Sequence, residues 1–473
     1  MLEFFNQLNG IAWGPWMLIL LVGTGIYYSY KLGFIQFFKF GYALKNTIGK
    51  IFTKTEAKEG EITPFQAVST ALAATVGTGN IAGVTGAIAI GGPGAVFWMW
   101  VSALFGMATK YAEIVLAVHF REKNKKGEWA GGPMYYIKNG LHPKFRFLAT
   151  IFCILGAVAA IGTGGMTQIN TIALSINTTL ASFGLNVLSH SLTLFNQTIH
   201  YSSLIIGVII AIIVALVLFG GIKRIGSVTE KIVPIMACVY VGIALTLVIF
   251  NFQYIDDIFM LIFKSAFNAK AALGGAVGIT ILTTIRNGVG RGVFSNEAGL
   301  GTAPMAHALT SETSPVKQGM YGIFEIFMDT IVICTLTACI LLVGHFNGVV
   351  IPWGNNAGID LVSQSLATLL GSQVASTILS VSITLFALST ILTWSLYGAR
   401  CCGYLFGDFS MKIYQWVFIF FIIVGSCLEL DVVWVIAETF NGFMAIPNLI
   451  ALLLLSPVVI KLTKEYFENE KES

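Results

Sequence analysis

The chain has 473 residues, of which 56% are hydrophobic and 11% charged, with a formal net charge of +4. Soluble proteins carry about 25% charged residues, so this composition excludes a water-exposed globular domain and makes lipid the solvent for most of the chain. The surplus of basic residues follows membrane topology and is no sign of nucleic acid binding.

About 20 apolar residues span the hydrocarbon of a bilayer. By that rule spans are expected near 11–30, 64–90, 94–119, 147–183, 203–221, 228–250, 270–299, 319–344, 374–400, 411–428 and 433–459. The first is followed by lysines rather than by a small-residue cleavage site and reads as a retained span. The stretch from Asp256 to Phe267 is too short and too charged to cross, and reads as an interfacial helix.

Lysine and arginine set the orientation. The loop after the first span holds Lys31, Lys39, Lys45, Lys50, Lys54 and Lys58, and the loop after the third is equally basic from Arg121 to Arg146. Loops 184–202 and 345–356 contain neither residue. This alternation places the N-terminus outside and the C-terminus in the cytoplasm.

Eleven spans divide as one peripheral helix plus ten. The ten form two five-helix halves of opposite orientation, which is the pattern of an inverted-repeat transporter. The expected organisation is a first helix and basic loop over 1–62, a first repeat over 63–250, a second over 251–460 and a tail over 461–473.

The second and seventh spans, opening the two halves, are dense in glycine. Glycine weakens a helix, and unpaired backbone groups in lipid are costly unless they line a site. A half-helix start attracts an anion, and freed carbonyls hold a small cation. In the second span the break is expected at Val76-Gly77-Thr78-Gly79-Asn80, where Thr78 and Asn80 add polar side chains. In the seventh it is expected at Gly274 to Gly278, with Arg286 to Gly292 as the second choice. The competing reading is close helix packing through small residues, which suits Gly83 and Gly86 better than Gly77 and Gly79.

Gln168 and Asn170 sit at membrane depth in the fourth span, where they line a cavity or hold helices together. In the ninth, Ser389 and Thr390 either add oxygen ligands for sodium or back-bond to their own helix. Trp394 either walls a pocket or packs. Lys110 and Glu113, three apart, are expected to pair with each other. Glu325 and Asp329 share a helix face and fit a gate or proton relay, or a structural interface. The seven cysteines show no metal or disulfide spacing, the six histidines form no pair at helical spacing, and no phosphate-binding loop is present.

The run GGPGAVFWMWVSALFG at 91–106 resembles the signature of the alanine or glycine:cation symporter family, also called sodium:alanine symporters. ATVGTGNIAGV at 74–84, AGGPMYYI at 130–137 and GVFSNEAGLGTAPMAHA at 292–308 resemble the same family. The resemblance implies an all-α membrane protein with one extra helix and a ten-helix inverted-repeat core, shared with neurotransmitter:sodium symporters. It implies import of alanine and glycine across a prokaryotic plasma membrane, driven by sodium or less often by protons, without enzymatic chemistry. By similarity, the backbone of Thr78 and Gly79 with the Asn80 side chain would bind the substrate carboxylate. Gln168 would touch the substrate, and Trp394 would close the pocket. Sodium would be held by the carbonyls of Ala73 and Val76 and the hydroxyls of Ser389 and Thr390. The alternatives are a symporter of another small solute on the same fold, or a channel, although no pore-lining charge rings are present.

Overall fold

A computed structural model describes residues 2–47, 49, 57, 60–124, 127–185, 187–194, 197–272, 279–428 and 431–472. The fold is a bundle of helices with two short two-stranded hairpins in its loops. The helices used below are α1 (Leu2–Ala12), α2 (Pro15–Lys31), α3 (Pro64–Thr75), α4 (Ala82–Gly91), α5 (Ala95–His119) and α6 (Pro143–Ser182). They continue with α7 (Tyr201–Leu218), α8 (Gly221–Phe250), α9 (Ile255–Ala272), α10 (Ile281–Asn296), α11 (Ala303–His307) and α12 (Pro315–Phe346). The last are α13 (Asp360–Leu370), α14 (Ser372–Phe406), α15 (Asp408–Cys427), α16 (Asp431–Leu454) and α17 (Ser456–Glu472).

Among the described residues, nine helices are long and apolar enough to cross a bilayer, and the bent pair α3–α4 makes up to ten. The span expected at 270–299 is the one that does not qualify. Its described helix, α10, has 16 residues, too few to cross alone. On α7, α8 and α15 only 39%, 28% and 33% of the apolar window is buried. Their outward faces carry Ile205, Leu216, Ile249 and Phe420, as lipid contact requires. On α5 the buried share is 83%, which makes it the central helix. It packs against α10 and α12.

The signature run at 91–106 is explained by packing around α9. A Cβ on Gly94 would lie 2.3 Å from backbone atoms of Ser265 and Ala266, so only glycine admits this approach. Trp98 donates its indole N–H to the Ala266 carbonyl at 3.0 Å. Phe97 and Trp100 set their rings against Phe259, Phe263 and Phe267. The segment expected to be an interfacial helix is thus clamped onto α5.

α1 packs along α16. Trp13 donates to the Glu438 carbonyl at 2.9 Å and sets its ring edge-on to Phe294.

Candidate functional site

The first break follows from competition for backbone partners. α3 starts at a capping box, in which Thr63 and Gln66 satisfy each other's backbone N–H groups at 3.1 Å, with Pro64 at the first turn. It stops at Thr75, and α4 leaves at 56° to it. The Gly77 N–H, which would continue the helix onto the Ala73 carbonyl, is taken instead by Asn80 Oδ1 at 2.9 Å. The Asn80 N–H bonds Gly77 rather than Val76, at 3.2 Å. The carbonyls of Ala73 and Val76 are thus released from the helix. The N–H groups of Thr78 and Gly79, at the start of the new turn, make none of the hydrogen bonds found among the described residues.

The freed Ala73 carbonyl meets α14. Thr390 donates toward the carbonyls of Ala73 at 3.1 Å and Phe386 at 3.0 Å. The Ser389 hydroxyl lies 2.8 Å from the same Phe386 carbonyl. A Cβ on Gly77 would sit 2.7 Å from Thr390 Oγ1. Gly77 has φ −132°, an extended backbone open to any residue, so it is the close approach that requires glycine. Ala73, Phe386, Ser389 and Thr390 form an all-oxygen set, the donor chemistry of a hard cation. The Val76 carbonyl is free of its helical partner but is bonded to none of these groups. Phe386 is the member that sequence reasoning missed, because a backbone carbonyl leaves no signal in the residue type.

A cavity of about 490 Å³ reaches this break. Thr78, Gly79, Ala82, Gly83, Gly86, Arg291 and Phe294 line it, together with residues from α1, 356–358 and α16. Thr78 and Gly79 therefore border the cavity, Gly79 half-buried and Thr78 buried. Asn80, Gln168 and Trp394 are buried and do not line it. Thr78 donates to Gln168 Oε1 at 3.0 Å and ties the cavity floor to α6. Asn80 is fully engaged, accepting from Gly77 and donating to Asp329 Oδ1 at 2.7 Å. Asn170 points away, to the carbonyls of Gly425 and Leu428.

An interruption of the chain is found beyond the two stretches named for the second break. Gly274 and Gly278 fall outside the described residues, and Arg286 to Gly292 is continuous helix within α10. The chain unwinds after Asn296, where Glu297, Gly299 and Gly301 take positive φ of 56°, 86° and 81°. α11 then begins with Pro304 in its first turn. Two glycines spaced by one residue and followed by a proline were the available signal, inside the motif GVFSNEAGLGTAPMAHA.

Two further residues bind the breaks together. Asp329 sits in a π-helical turn of α12, Phe327–Cys334, and accepts from Asn80, Ser295 and Thr330 at 2.7, 2.9 and 2.8 Å. Its carboxylate is wholly buried between the first break and the end of α10. Trp394 donates to Glu297 Oε1 at 3.0 Å. Its ring root fills the notch left by Gly164, where a Cβ would come within 2.1 Å of Trp394 Cβ. Gly164 lies in a second π-helical turn, Ala160–Met166, just before Gln168. π turns are enriched at functional sites, and both of these face a break.

Lys110 does not pair with Glu113. Its ammonium crosses to Glu325 on α12 at 2.9 Å, while Glu113 accepts from the Gly301 N–H at 3.0 Å and from Asn448 at 2.6 Å. On one helix face the two side chains are neighbours, but each meets a closer partner across the interface. All seven cysteines are free.

A broken membrane span with unpaired amides, beside a set of backbone and hydroxyl oxygens, is the arrangement expected of a secondary transporter. The chain belongs to the sodium:alanine symporter family, which matches over residues 1–473. It is 44% identical over 471 residues to the sodium/alanine symporter AgcS of Methanococcus maripaludis, covering 98% of this chain and 97% of that one. It is 35% identical to the probable sodium/glutamine symporter GlnT of Bacillus subtilis, covering 98% and 90%. The crystal structure of MhsT in complex with L-phenylalanine superposes with a TM-score of 0.57 at 11% identity, over 86% of this chain and 99% of that one. The protein is thus a multi-pass membrane symporter of the sodium-coupled amino acid class.

Proposed function

We propose that this protein imports alanine and glycine together with sodium, by alternating access around the first break. The observation that carries the reading is the pair of amides at Thr78 and Gly79, unpaired among the described residues and belonging to residues that line the cavity, which suits a carboxylate. Sodium would enter the set made by Ala73, Phe386, Ser389 and Thr390, and Val76 would join by turning its freed carbonyl inward. Asp329 adds a negative charge nearby that offsets a bound cation. Gln168 would meet the substrate through Thr78, and Trp394 would limit its side chain. Asn80 would reach the carboxylate by exchanging its present bond to Asp329.

The two breaks, at 76–80 and 297–302, open what we take to be two inverted repeats, 63–250 and 251–460. The first helix and basic loop, 1–62, lie outside that core, as does the tail, 461–473. On the basic-loop reading the N-terminus would lie outside and the C-terminus inside a prokaryotic plasma membrane, and the cavity would open outward. Sodium bound first would order α3–α4 and raise the affinity for the amino acid, and the amino acid would raise sodium affinity by the same factor. A relative described as a probable sodium/glutamine symporter favours a second reading, with a larger side chain accepted. The Trp394 wall packed into Gly164 argues for the smaller one.

Counterflow of labelled alanine in proteoliposomes, against a panel of amino acids and with sodium replaced by choline, tests both. Alanine and glycine should compete best and only in sodium. Equal exchange in choline refutes sodium coupling, and preferential competition by glutamine refutes the small-substrate reading.

A further inference from the structure

The sodium and substrate sites leave one charged cluster without a task. It lies beneath the second break and contains Lys110 and Glu113 of α5, Glu297, His307 of α11 and Glu325 of α12, all buried. Lys110 is neutralised by Glu325 at 2.9 Å. His307 bonds Glu325 Oε2 through Nε2 at 3.3 Å. Its Nδ1 faces the Gln318 amide nitrogen at 2.8 Å, and Gln318 Oε1 accepts from Thr310. That arrangement makes Nδ1 an acceptor and the ring neutral. Glu113 and Glu297 then remain as two carboxylates with no further cation at hand among the described residues.

The two are not equivalent. Glu297 has a donor on each oxygen, Trp394 and Thr302, so the protein solvates it as an anion. Glu113 directs both of its donors, the Gly301 N–H and Asn448, to Oε1. Glu113 Oε2 is buried with no partner. Two more buried hydroxyls nearby also lack partners. These are Thr109, whose methyl lies against the site of Gly299, and Tyr397, whose ring sits edge-on to Trp394. The other titratable groups facing Glu113 are Tyr28 of α2, bonded to the Leu452 carbonyl, and Tyr136 of the short helix Pro133–Gly140, bonded to Asn448. None of them supplies a positive charge.

We propose that Glu113 is a proton-binding site, with the proton on Oε2, and that its occupancy is linked to the second break. Two anions in a water-excluded interior against one already neutralised lysine favour uptake of a proton. The linkage runs through Gly301. An ionised Glu113 grips the Gly301 N–H with a charge-assisted bond, and a protonated one holds it less strongly. Asn448 of α16 joins the same carboxylate to the Gly299 carbonyl at 2.9 Å. The proton therefore biases how the 297–302 segment, α5 and α16 are clamped together, and transport acquires a pH dependence. This rests on the symporter reading for its consequence, though not for the site.

The test uses the full-length protein, alone and in proteoliposomes. Sodium-dependent alanine exchange should vary between mildly acidic and mildly alkaline pH with a slope approaching tenfold per pH unit, the limit for one linked proton. Glu113→Gln should exchange alanine with that slope abolished, and Glu113→Asp should keep it. Asn448→Ala removes a donor that favours the ionised form, so the midpoint should move to higher pH. Thermal unfolding midpoints against pH give a readout that needs no substrate, and the curves of the wild type and Glu113→Gln should converge at acidic pH and separate at alkaline pH. A flat wild-type profile, an unaltered slope in Glu113→Gln, an unmoved midpoint in Asn448→Ala or parallel melting curves each overturn the proposal. Absence of alanine exchange at every pH would instead refute the alanine reading of the proposed function, leaving the melting curves to decide on the proton.

Discussion

Thr390→Val isolates the proposed sodium pocket more cleanly than any other single change. Valine keeps the branched shape of threonine and deletes the hydroxyl that lies 3.1 Å from the Ala73 carbonyl and 3.0 Å from the Phe386 carbonyl. The rotamer is conserved, because both residues are branched at Cβ, and Gly77 still clears the side chain. One oxygen facing a charge contributes about 1.5–3 kcal/mol, and each 1.4 kcal/mol is about tenfold in affinity. The half-saturating sodium concentration for alanine exchange should therefore rise about 10- to 100-fold. Maximal exchange at saturating sodium should change far less. Ser389→Ala should have a smaller effect, since that hydroxyl reaches Phe386 and Met236 but not the broken span. Thr393→Val is the control. Its hydroxyl bonds the Thr70 carbonyl one turn away at 3.1 Å, so it tests helix contact without the pocket. The measurement is labelled-alanine exchange in proteoliposomes over a sodium titration at constant ionic strength. Thr390→Val with a sodium half-saturation within about twofold of wild type, or a Thr393→Val shift as large as that of Thr390→Val, would refute the assignment.

Gly164→Ala places a Cβ within 2.1 Å of Trp394 Cβ, so the indole must move and lose Glu297. Overpacking of this kind costs about 1–3 kcal/mol, read as a lower thermal midpoint together with lost alanine uptake. Arg291 and Glu438 pair at 3.1 Å across the cavity mouth while partly exposed. Arg291→Gln should cost under about 1 kcal/mol of stability yet change the KM for external alanine, and an unchanged KM would count against a gating role. Glu312 lies in the loop before α12. Burial opposes its charge, but Lys317 at 2.8 Å and the N–H groups of Ser314 and Thr313 prevail and hold its carboxyl below the usual range. A depressed value in the folded state means that its stabilisation is present above the ordinary carboxylate range and is lost as pH falls through the folded value. Melting of Glu312→Gln should thus differ from wild type at neutral pH and converge with it in acid.

Membrane residence, the order of the spans and the first break were legible in the residues. Apolar length is a local property, and Thr-Gly-Asn between glycines competes with the helix within four residues of itself. The short reach of those interactions is why the break at Val76–Asn80 could be named before any packing was known, whereas Ala73 was named only through the family resemblance. The unwinding after Asn296 was not legible in the same way. Glycine density drew attention to 274–278, which lies outside the described residues, and to 286–292, which is continuous helix, whereas α10 ends where Glu297, Gly299 and Gly301 take left-handed backbone under tertiary contacts. The partner of Lys110 was likewise beyond the sequence, because spacing along one helix says nothing of a carboxylate on the helix opposite. Only tertiary structure brought Asp329 to Asn80, Trp394 to Glu297 and the Phe386 carbonyl to Thr390. Each pair is separated by far more chain than local rules span, and each forms because burial in a water-poor interior obliges polar groups to find one another.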